Sequence, residues 1–589
     1  MKIQGIAAAP GYAVAPIWRY VSAGISEPLE GEAATSSLTI SDAAAAAAQE
    51  LVALADRVRA TGRANEAGIL EAQALMATDE MIVAEAERMA SQDGAGSPTD
   101  LARVVQMAGQ AAAATLAALD DELLAARAAD VRDVAARIAR ILSGQRITPP
   151  GEPSIAVAED LPPSVTLELP EGILVGIVLQ EGSRTSHAAI LARSLGIPAV
   201  VAAQGLLVAV AELAASGGDM TAAVDGTSGE IFIAPTPAQR AELARRERSA
   251  EGEAQAARGL RGSPGQTGSG RRIPLVANIG SPGEAARALE AGAEGVGLFR
   301  TEFEFMGRQD PPTEFEQIAA YREVLAAFGR EREVVIRLAD IGGDKGIPYL
   351  NLPTEENPFL GVRGIRLAYG ESRALLATQI RAIYRAGAEA GVVPHIMAPM
   401  VGTVEDVQLL LALRDEAAIA LDAEGIARAH RISTGIMIEI PAAALMAGTL
   451  APMVDFFSIG TNDLTQYTLA ADRTNGRLGA LQDALHPAVL RAVAATIEGG
   501  DRAGIPTAVC GELASDPAGA LVLVGLGVDE LSMDAGALDA VRLALRLTSD
   551  EELEQLGRDA LAAPTATVAR RAADDVLARV ALRKATVLA

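Results

Sequence analysis

Apolar positions along the 589 residues fall into three textures. From about 41 to 143 they recur at helical spacing, opening at Ser41-Asp42 as a cap for "AAAAAAQELVALADRVRA" and closing with "ADVRDVAARIARILSG", where Gly144 is a stop. The Ala tract has high helix propensity, so it reads as helix rather than disorder. From 151 to about 235 short β-rich runs take over ("SIAVA", "GILVGIVL", "PAVVAA", "GEIFIA"), punctuated by Gly and Pro. A short helix, "HAAILARSL", lies among them, with Thr185 or Ser186 as its cap and Gly196 and Pro198 as its end. Residues 1–20 read as strand that cannot stand alone. The simplest packing adds them to this sheet and makes the helical region an insertion.

A charged helix, "TPAQRAELARRERSAEGEAQAARG", and a Gly/Ser/Pro-rich run, "LRGSPGQTGSGRR", follow, the latter with linker composition. After residue 272 apolar runs alternate with helical patterns: "IPLVANIG", "EGVGLFRTEF", "EVVIRLADIG", "VVPHIMAPM", "TGIMIEIP", "VDFFSIGTND", "IPTAVCGELA" and "VDELSMDA". Eight such units are the count for a (βα)8 barrel, with a doubly wound open sheet as the competing architecture. The expectation is a multidomain α/β chain: an α/β domain from 1–20 plus 145–235, an inserted all-α subdomain over 21–144, a linker helix and hinge over 236–272, and a C-terminal TIM-like barrel over 273–575.

Composition narrows the function. Aromatics are 3% against 50% hydrophobic residues, and alanine makes up the difference, which favours helices and α/β packing. The net charge of -26 repels nucleic-acid phosphates and anionic membrane surfaces, so neither is an expected partner. A small anionic substrate requires arginines and lysines converging locally against that field. One cysteine cannot form an internal disulfide. The N-terminal "MKIQGIAAAPGYAVAPIW" is broken by Gly5, Pro10, Gly11 and Pro16, unlike a signal peptide. No apolar run approaches the roughly 18 residues of a membrane span. The expected setting is cytoplasmic.

In a barrel, functional groups belong where strands end. The apolar runs deliver Arg300, then Arg337, Asp340 and Lys345, then Glu439, then Asn462 and Asp463, and then Cys510. Glu439 and Asp463 end the fifth and sixth strands, so their carboxylates lie side by side. They are either neutralised by Mg2+, which takes one or two protein carboxylates plus substrate oxygens and water, or salt-bridged at the rim. Arg300, Arg337, Arg363 in "FLGVRGIR" and Arg473 in "ADRTNG" can supply two-pronged donors for carboxylate or phosphate, although each alone also reads as a surface ion pair. Cys510 is either a small buried apolar residue or, with an ordinary pKa near ~8.5, a protonated thiol facing the site. His187 opens the helix "HAAILARSL". The positive helix end favours neutral, nucleophilic imidazole and would favour the anion formed on phosphorylation; an ordinary helix-start histidine is the alternative. No G-x-x-x-x-G-K-[ST] loop and no G-x-G-x-x-G after a strand signals a nucleotide fold.

Together these segments resemble enzyme I of the phosphoenolpyruvate-dependent sugar phosphotransferase system. The resemblance runs nearly end to end and is most specific in "SRTSHAAILARSLGIPAVV", "GAEGVGLFRTEFEFM", "ADIGGDKGIPYLN", "EENPFLGVRGIR", "VDFFSIGTNDLTQYTLAADR" and "VCGELASD". It implies that His187 takes phosphate from phosphoenolpyruvate and that Cys510 protonates the departing enolpyruvate at carbon. It further implies that Glu439 and Asp463 hold Mg2+ and that Arg300, Arg337, Arg363, Lys345, Asn462, Asp463 and Arg473 bind the substrate. The helical insert would dock the carrier protein HPr, and the barrel would form a homodimer. A regulatory phosphotransfer paralogue, a phosphoenolpyruvate synthase or pyruvate phosphate dikinase relative, and a silent phosphocarrier-binding protein are the other readings. Two positions depart from the family pattern: Ser183, where a second glycine is usual and whose backbone would be strained if φ must be positive, and Pro162, where a threonine is usual.

Overall fold

The computed structural model describes residues 1–20, 38–60, 64–117, 122–145, 147–183, 186–342, 347–350, 352–353, 355–370, 372–473 and 475–587. They divide into two compact units, Met1–Glu251 and Gly252–Ala589.

The first unit is built on one sheet. Its strands are β1 (Lys2–Gln4), β2 (Ile6–Ala9), β3 (Tyr12–Arg19), β4 (Ser154–Ala158), β5 (Leu174–Leu179), β6 (Ala199–Val201), β7 (Thr221–Asp225) and β8 (Glu230–Ile233), in the order β1-β8-β7-β3-β4-β5-β6-β2. The N-terminal residues enter it as three strands, and β3 lies inside the sheet, antiparallel to β7 and parallel to β4. Strand β7 is absent from the sequence reading. Its "TAAVD" is only five residues long, and its two β-branched residues are separated by two alanines, leaving no apolar run or alternation to mark it.

Both faces of this sheet are covered. Alternation sends Ile155 and Val157 to one face, and Ala156 and Ala158 to the other. On the second face the helix His187–Leu195 lays down Ala188, Ala189 and Ala192, small side chains that let it lie close, beside Val165 of the helix Pro163–Glu168.

Among the described residues five helices lie between β3 and β4: Ile40–Ala60, Ala64–Ala77, Glu80–Asp93, Pro98–Ala117 and Glu122–Ser143. The first is capped by Thr39 rather than Ser41-Asp42. The Thr39 hydroxyl accepts from the Asp42 amide at 3.1 Å, and the Asp42 carboxylate accepts in return from the Thr39 amide. A buried polar joint ties these helices to the helix Pro163–Glu168 on the sheet. Asp133 accepts from Gln73 (3.2 Å) and from the Ser164 hydroxyl (2.9 Å), and Arg137, itself buried, bridges Glu50 and Glu168 at 2.8 and 2.7 Å. Burial holds the Asp133 carboxyl above its ordinary pKa.

The second unit is a closed parallel barrel: β9 (Leu275–Ile279), β10 (Val296–Phe299), β11 (Val334–Arg337), β12 (His395–Ala398), β13 (Ser433–Ile438), β14 (Phe456–Ile459), β15 (Thr507–Val509) and β16 (Glu530–Asp534). Each of the eight apolar runs supplies one strand, and pairing of β16 with β9 closes the ring, which excludes the open sheet. The charged helix spans Pro237–Gly259. The run that follows it is anchored on the barrel: the Gly265 amide donates to Glu294 and the Gly268 amide to the Thr548 carbonyl, each at 2.8 Å. Among the described residues no helix is long and apolar enough to cross a membrane.

At the barrel end away from the strand C-termini, burial and the charges of Glu333, Glu294 and Asp529 push the half-buried Glu530 up to about 8. Between the ordinary glutamate value and about 8 the native protein retains a proton that the unfolded chain has released, so stability falls as pH rises through that window. Glu530→Gln should therefore raise the Tm at pH 8 by the equivalent of about 1 kcal/mol and leave it nearly unchanged at pH 5. Calorimetry at the two pH values checks this, and an equal effect at both would show that Glu530 does not titrate in the window.

Candidate active site

Parallel strands deliver their C-terminal ends to one mouth of a barrel, and the candidate residues follow those ends. Arg300 follows β10, Arg337 closes β11, Glu439 follows β13, and Cys510 follows β15. Asn462 and Asp463 sit in the first turn of the helix Thr461–Leu469 after β14.

The mouth is organised by buried ion pairs. Arg363, 2% exposed, places Nε 3.0 Å from Asp340 Oδ1 and Nη2 2.6 Å from Asp340 Oδ2. Its remaining nitrogen lies 3.5 Å from Asp463 Oδ1 and 3.2 Å from the Tyr467 hydroxyl. Arg473 approaches the other Asp463 oxygen at 3.6 Å. Arg337 is held by Glu302, whose carboxylate also accepts from the Asp340 amide at 3.1 Å, and its Nη1 lies 3.6 Å from Asp340. Burial alone would lower the pKa of both buried guanidiniums, but the surrounding carboxylates outweigh it and hold each above its ordinary value. Among the described residues Arg337 Nε is buried without a hydrogen-bond partner. Arg300 is partly exposed and 3.8 Å from Asp534.

Glu439 carries the strongest electrostatic tension. Burial first, then the charges of Asp463 and Asp340, push its carboxyl up to about 8. One of its oxygens accepts from the Met400 amide at 2.6 Å, where Met400 holds a left-handed backbone with φ 61°. Among the described residues no group of three or more His, Cys, Asp or Glu side chains is placed to hold a metal. Two hard carboxylates in a like-charged buried setting do fit a divalent cation such as Mg2+ that takes its other ligands from substrate and water.

Cys510 is 5% exposed, and burial pushes its thiol up to about 11, so it is a protonated S–H at neutral pH. Its Sγ faces the Ile459 carbonyl at 3.7 Å. The Asn462 side-chain oxygen accepts from the Glu512 amide at 3.0 Å, leaving its NH2 to face other partners. Lys345 lies outside the described residues.

In the first unit His187 is the first residue of its helix, with Ser186 at the N-cap position. Ser186 does not cap with its side chain as expected, because its hydroxyl donates to the Ser183 carbonyl at 2.9 Å; Thr185 lies outside the described residues. The strain feared at Ser183 does not arise. The left-handed position is Gly182, with φ 105°, and Ser183 is not among the residues of positive φ. Pro162 serves the short helix Pro163–Glu168 as its N-cap, its carbonyl accepting from the amides of Val165 and Thr166.

The structure therefore gathers Arg300, Arg337, Arg363, Glu439, Asn462, Asp463, Arg473 and Cys510 at one mouth, with His187 in the other unit. Sequence reasoning missed Glu302 and Tyr467. Glu302 stands two residues after Arg300 in "FRTEF", and a carboxylate in the turn after a strand that also delivers an arginine to the mouth was the available signal.

Comparison with known proteins bears on all of these segments. Residues 4–127, 150–229 and 254–549 match the N-terminal, mobile and PEP-binding domains of PEP-utilising enzymes. A phosphoenolpyruvate-protein phosphotransferase of Streptomyces coelicolor is 40% identical over 582 residues, 98% of this chain and 99% of the relative. Multiphosphoryl transfer proteins of Rhodobacter capsulatus and Xanthomonas campestris are 40% and 41% identical over 96% of this chain, which spans only 67% and 66% of their lengths. His187 falls in the mobile-domain match and the arginine-carboxylate mouth in the PEP-binding match, and the chain belongs to the family of PEP-utilising enzymes.

Proposed function

We propose that this chain transfers the phosphoryl group of phosphoenolpyruvate to His187 and passes it on to a histidine of the carrier protein HPr, as the entry step of a sugar phosphotransferase system. The observation that carries the reading is the barrel mouth. In a chain of net charge -26, arginines converge there around a buried acid pair and a protonated thiol.

Each residue has a part that follows from its setting. Arg337 and Arg363, fixed by Glu302 and Asp340, present guanidiniums that bind phosphate and carboxylate without reorganising. Arg300 and Arg473, more exposed, close on the substrate from the rim, with Lys345 and Asn462 as further donors. Glu439 and Asp463 hold Mg2+, which when bound offsets the charge of the substrate oxygens. His187 attacks phosphorus as neutral imidazole. The positive end of its helix stabilises the phosphoryl group it then carries. As the bond from phosphorus to the enol oxygen breaks, the enolate takes a proton at C3 from the Cys510 thiol and becomes pyruvate, and the thiolate regains a proton from water.

The same reading assigns the other parts. The phosphohistidine domain comprises 1–20 plus 145–235, with the insert 21–144 as the HPr-docking subdomain; Leu75 and Met81, exposed apolar side chains near the turn between its second and third helices, suit a docking face. Residues 236–272 act as the hinge and 273–575 as the substrate-binding and dimerising barrel, on which Leu360, Tyr369 and Leu445 are exposed. The setting is the cytoplasm.

Mixing the protein with Mg2+ and phosphoenolpyruvate should give a burst of pyruvate matched by acid-labile phosphate on the protein. No burst in wild type, or an undiminished one in His187→Ala, would overturn the proposal. Arg363→Lys keeps the charge but loses the fork on Asp340, and should lower kcat/KM for phosphoenolpyruvate by about 100-fold with the fold intact by circular dichroism. Chelating Mg2+ should abolish the burst, and Glu439→Gln should raise the Mg2+ concentration for half-maximal rate by about tenfold or more; an unchanged Mg2+ dependence would remove Glu439 from the metal site.

A further inference from the structure

The thiol of Cys510 must meet a planar enolate from one side, so its seat matters as much as its protonation. That seat is built by groups with no part in binding substrate. The Cys510 amide donates to the Ile459 carbonyl of β14 at 3.0 Å. On the other side, Asn278, in β9 and 8% exposed, donates through its side-chain NH2 to the Cys510 carbonyl at 3.1 Å. The orientation of the Asn278 amide is itself fixed. Its nitrogen faces two carbonyls that can only accept, that of Cys510 and, at 3.5 Å, that of Ser532, while the Ser532 hydroxyl, fully buried in β16, donates to Oδ1 at 2.6 Å.

The chain after the cysteine is equally restricted. A Cβ at Gly511 would collide with the side chain and amide of Thr461, so position 511 must be glycine for the Cys510 turn to lie against the helix that carries Asn462 and Asp463. A polar amide inside a barrel ring is an expensive way to fill space unless its hydrogen bonds have a purpose. Its partners here are Cys510, at the C-terminal end of β15, and Ser532, within β16.

We propose that Asn278, locked by Ser532, is a positioning residue that aims the Cys510 thiol for protonation of the enolate and takes no part in phosphoryl transfer. This rests on the assignment of Cys510 as proton donor made above. The step is a proton transfer from sulfur to C3, with the enolate electron pair forming the C–H bond and its oxygen becoming the ketone of pyruvate. Asn278 touches neither reactant.

Rapid mixing of the full chain with Mg2+ and phosphoenolpyruvate, with acid-labile protein phosphate and pyruvate followed separately, tests it. In Asn278→Asp, which keeps shape but replaces the donor, phosphoprotein should form within about threefold of the wild-type rate while pyruvate appears about tenfold or more slowly. The KM for phosphoenolpyruvate should change by less than about threefold. Ser532→Ala, a smaller change that keeps the fold, should show the same split at reduced size. In a Cys510→Ala background neither substitution should slow pyruvate further, because the thiol they aim is gone. Equal losses in both half-reactions, an additive loss in the Cys510→Ala background, or no loss at all would overturn the inference. Absence of any phosphoprotein in wild type would instead overturn the underlying phosphotransfer reading. If phosphoprotein forms normally but Cys510→Ala makes pyruvate at the wild-type rate, the donor assignment fails, and the role of Asn278 with it.

Discussion

Arg363 and Asp340 form a two-pronged ion pair almost out of reach of water, and the barrel mouth is arranged around it. Two ions taken out of water are tolerated only when their geometry is good and their remaining groups are satisfied. Here the spare nitrogen of Arg363 turns to Asp463 and Tyr467, the Asp340 amide is taken by Glu302, and Glu302 holds Arg337. The result is an alternation of guanidinium and carboxylate whose positions are set before any ligand arrives. That is the condition for electrostatic stabilisation without reorganisation during the reaction.

The alternation also resolves the contradiction between an acidic chain and an anionic substrate. The long-range field of the protein is negative, and local binding of phosphate depends on cations that are close, buried and fixed. Arginine suits this better than lysine because its planar fork can engage a carboxylate on one edge and remain cationic toward the substrate. The acids that orient the arginines create the opposite problem at Glu439, where negative charge accumulates faster than it is neutralised.

Much of this was legible in the sequence. The eight barrel strands stood out because each is an apolar run ending in Gly, Pro or a charged residue, and the charges at those ends marked the groups that the structure brings to one mouth. The helix at His187 was legible from its alanine face and from Gly196. Strand β7 was not, since "TAAVD" has a signal too weak to separate it from its surroundings. Nor could local pattern reveal that Glu302 serves Arg337, or that Asn278 serves Cys510 across 232 positions, because those pairings exist only after the ring closes. The caution about Ser183 was misplaced for a related reason: sequence marks a glycine-dependent turn, and only the backbone tells which of two adjacent residues, here Gly182, carries the positive φ.

Met400 holds a left-handed backbone although it is not glycine, and its amide, just past the end of β12, donates to Glu439. Such a conformation stores about 1 kcal/mol or more, sustained by the bond it makes possible. Its sulfur lies 3.9 Å from the Tyr467 hydroxyl, which in turn accepts from Arg363. One methionine is thus in contact, through its backbone, with the acid of the mouth and, through its side chain, with the arginine relay. A change of charge at Glu439 or Arg363 therefore reaches the surroundings of one thioether, and its methyl resonance should shift with it.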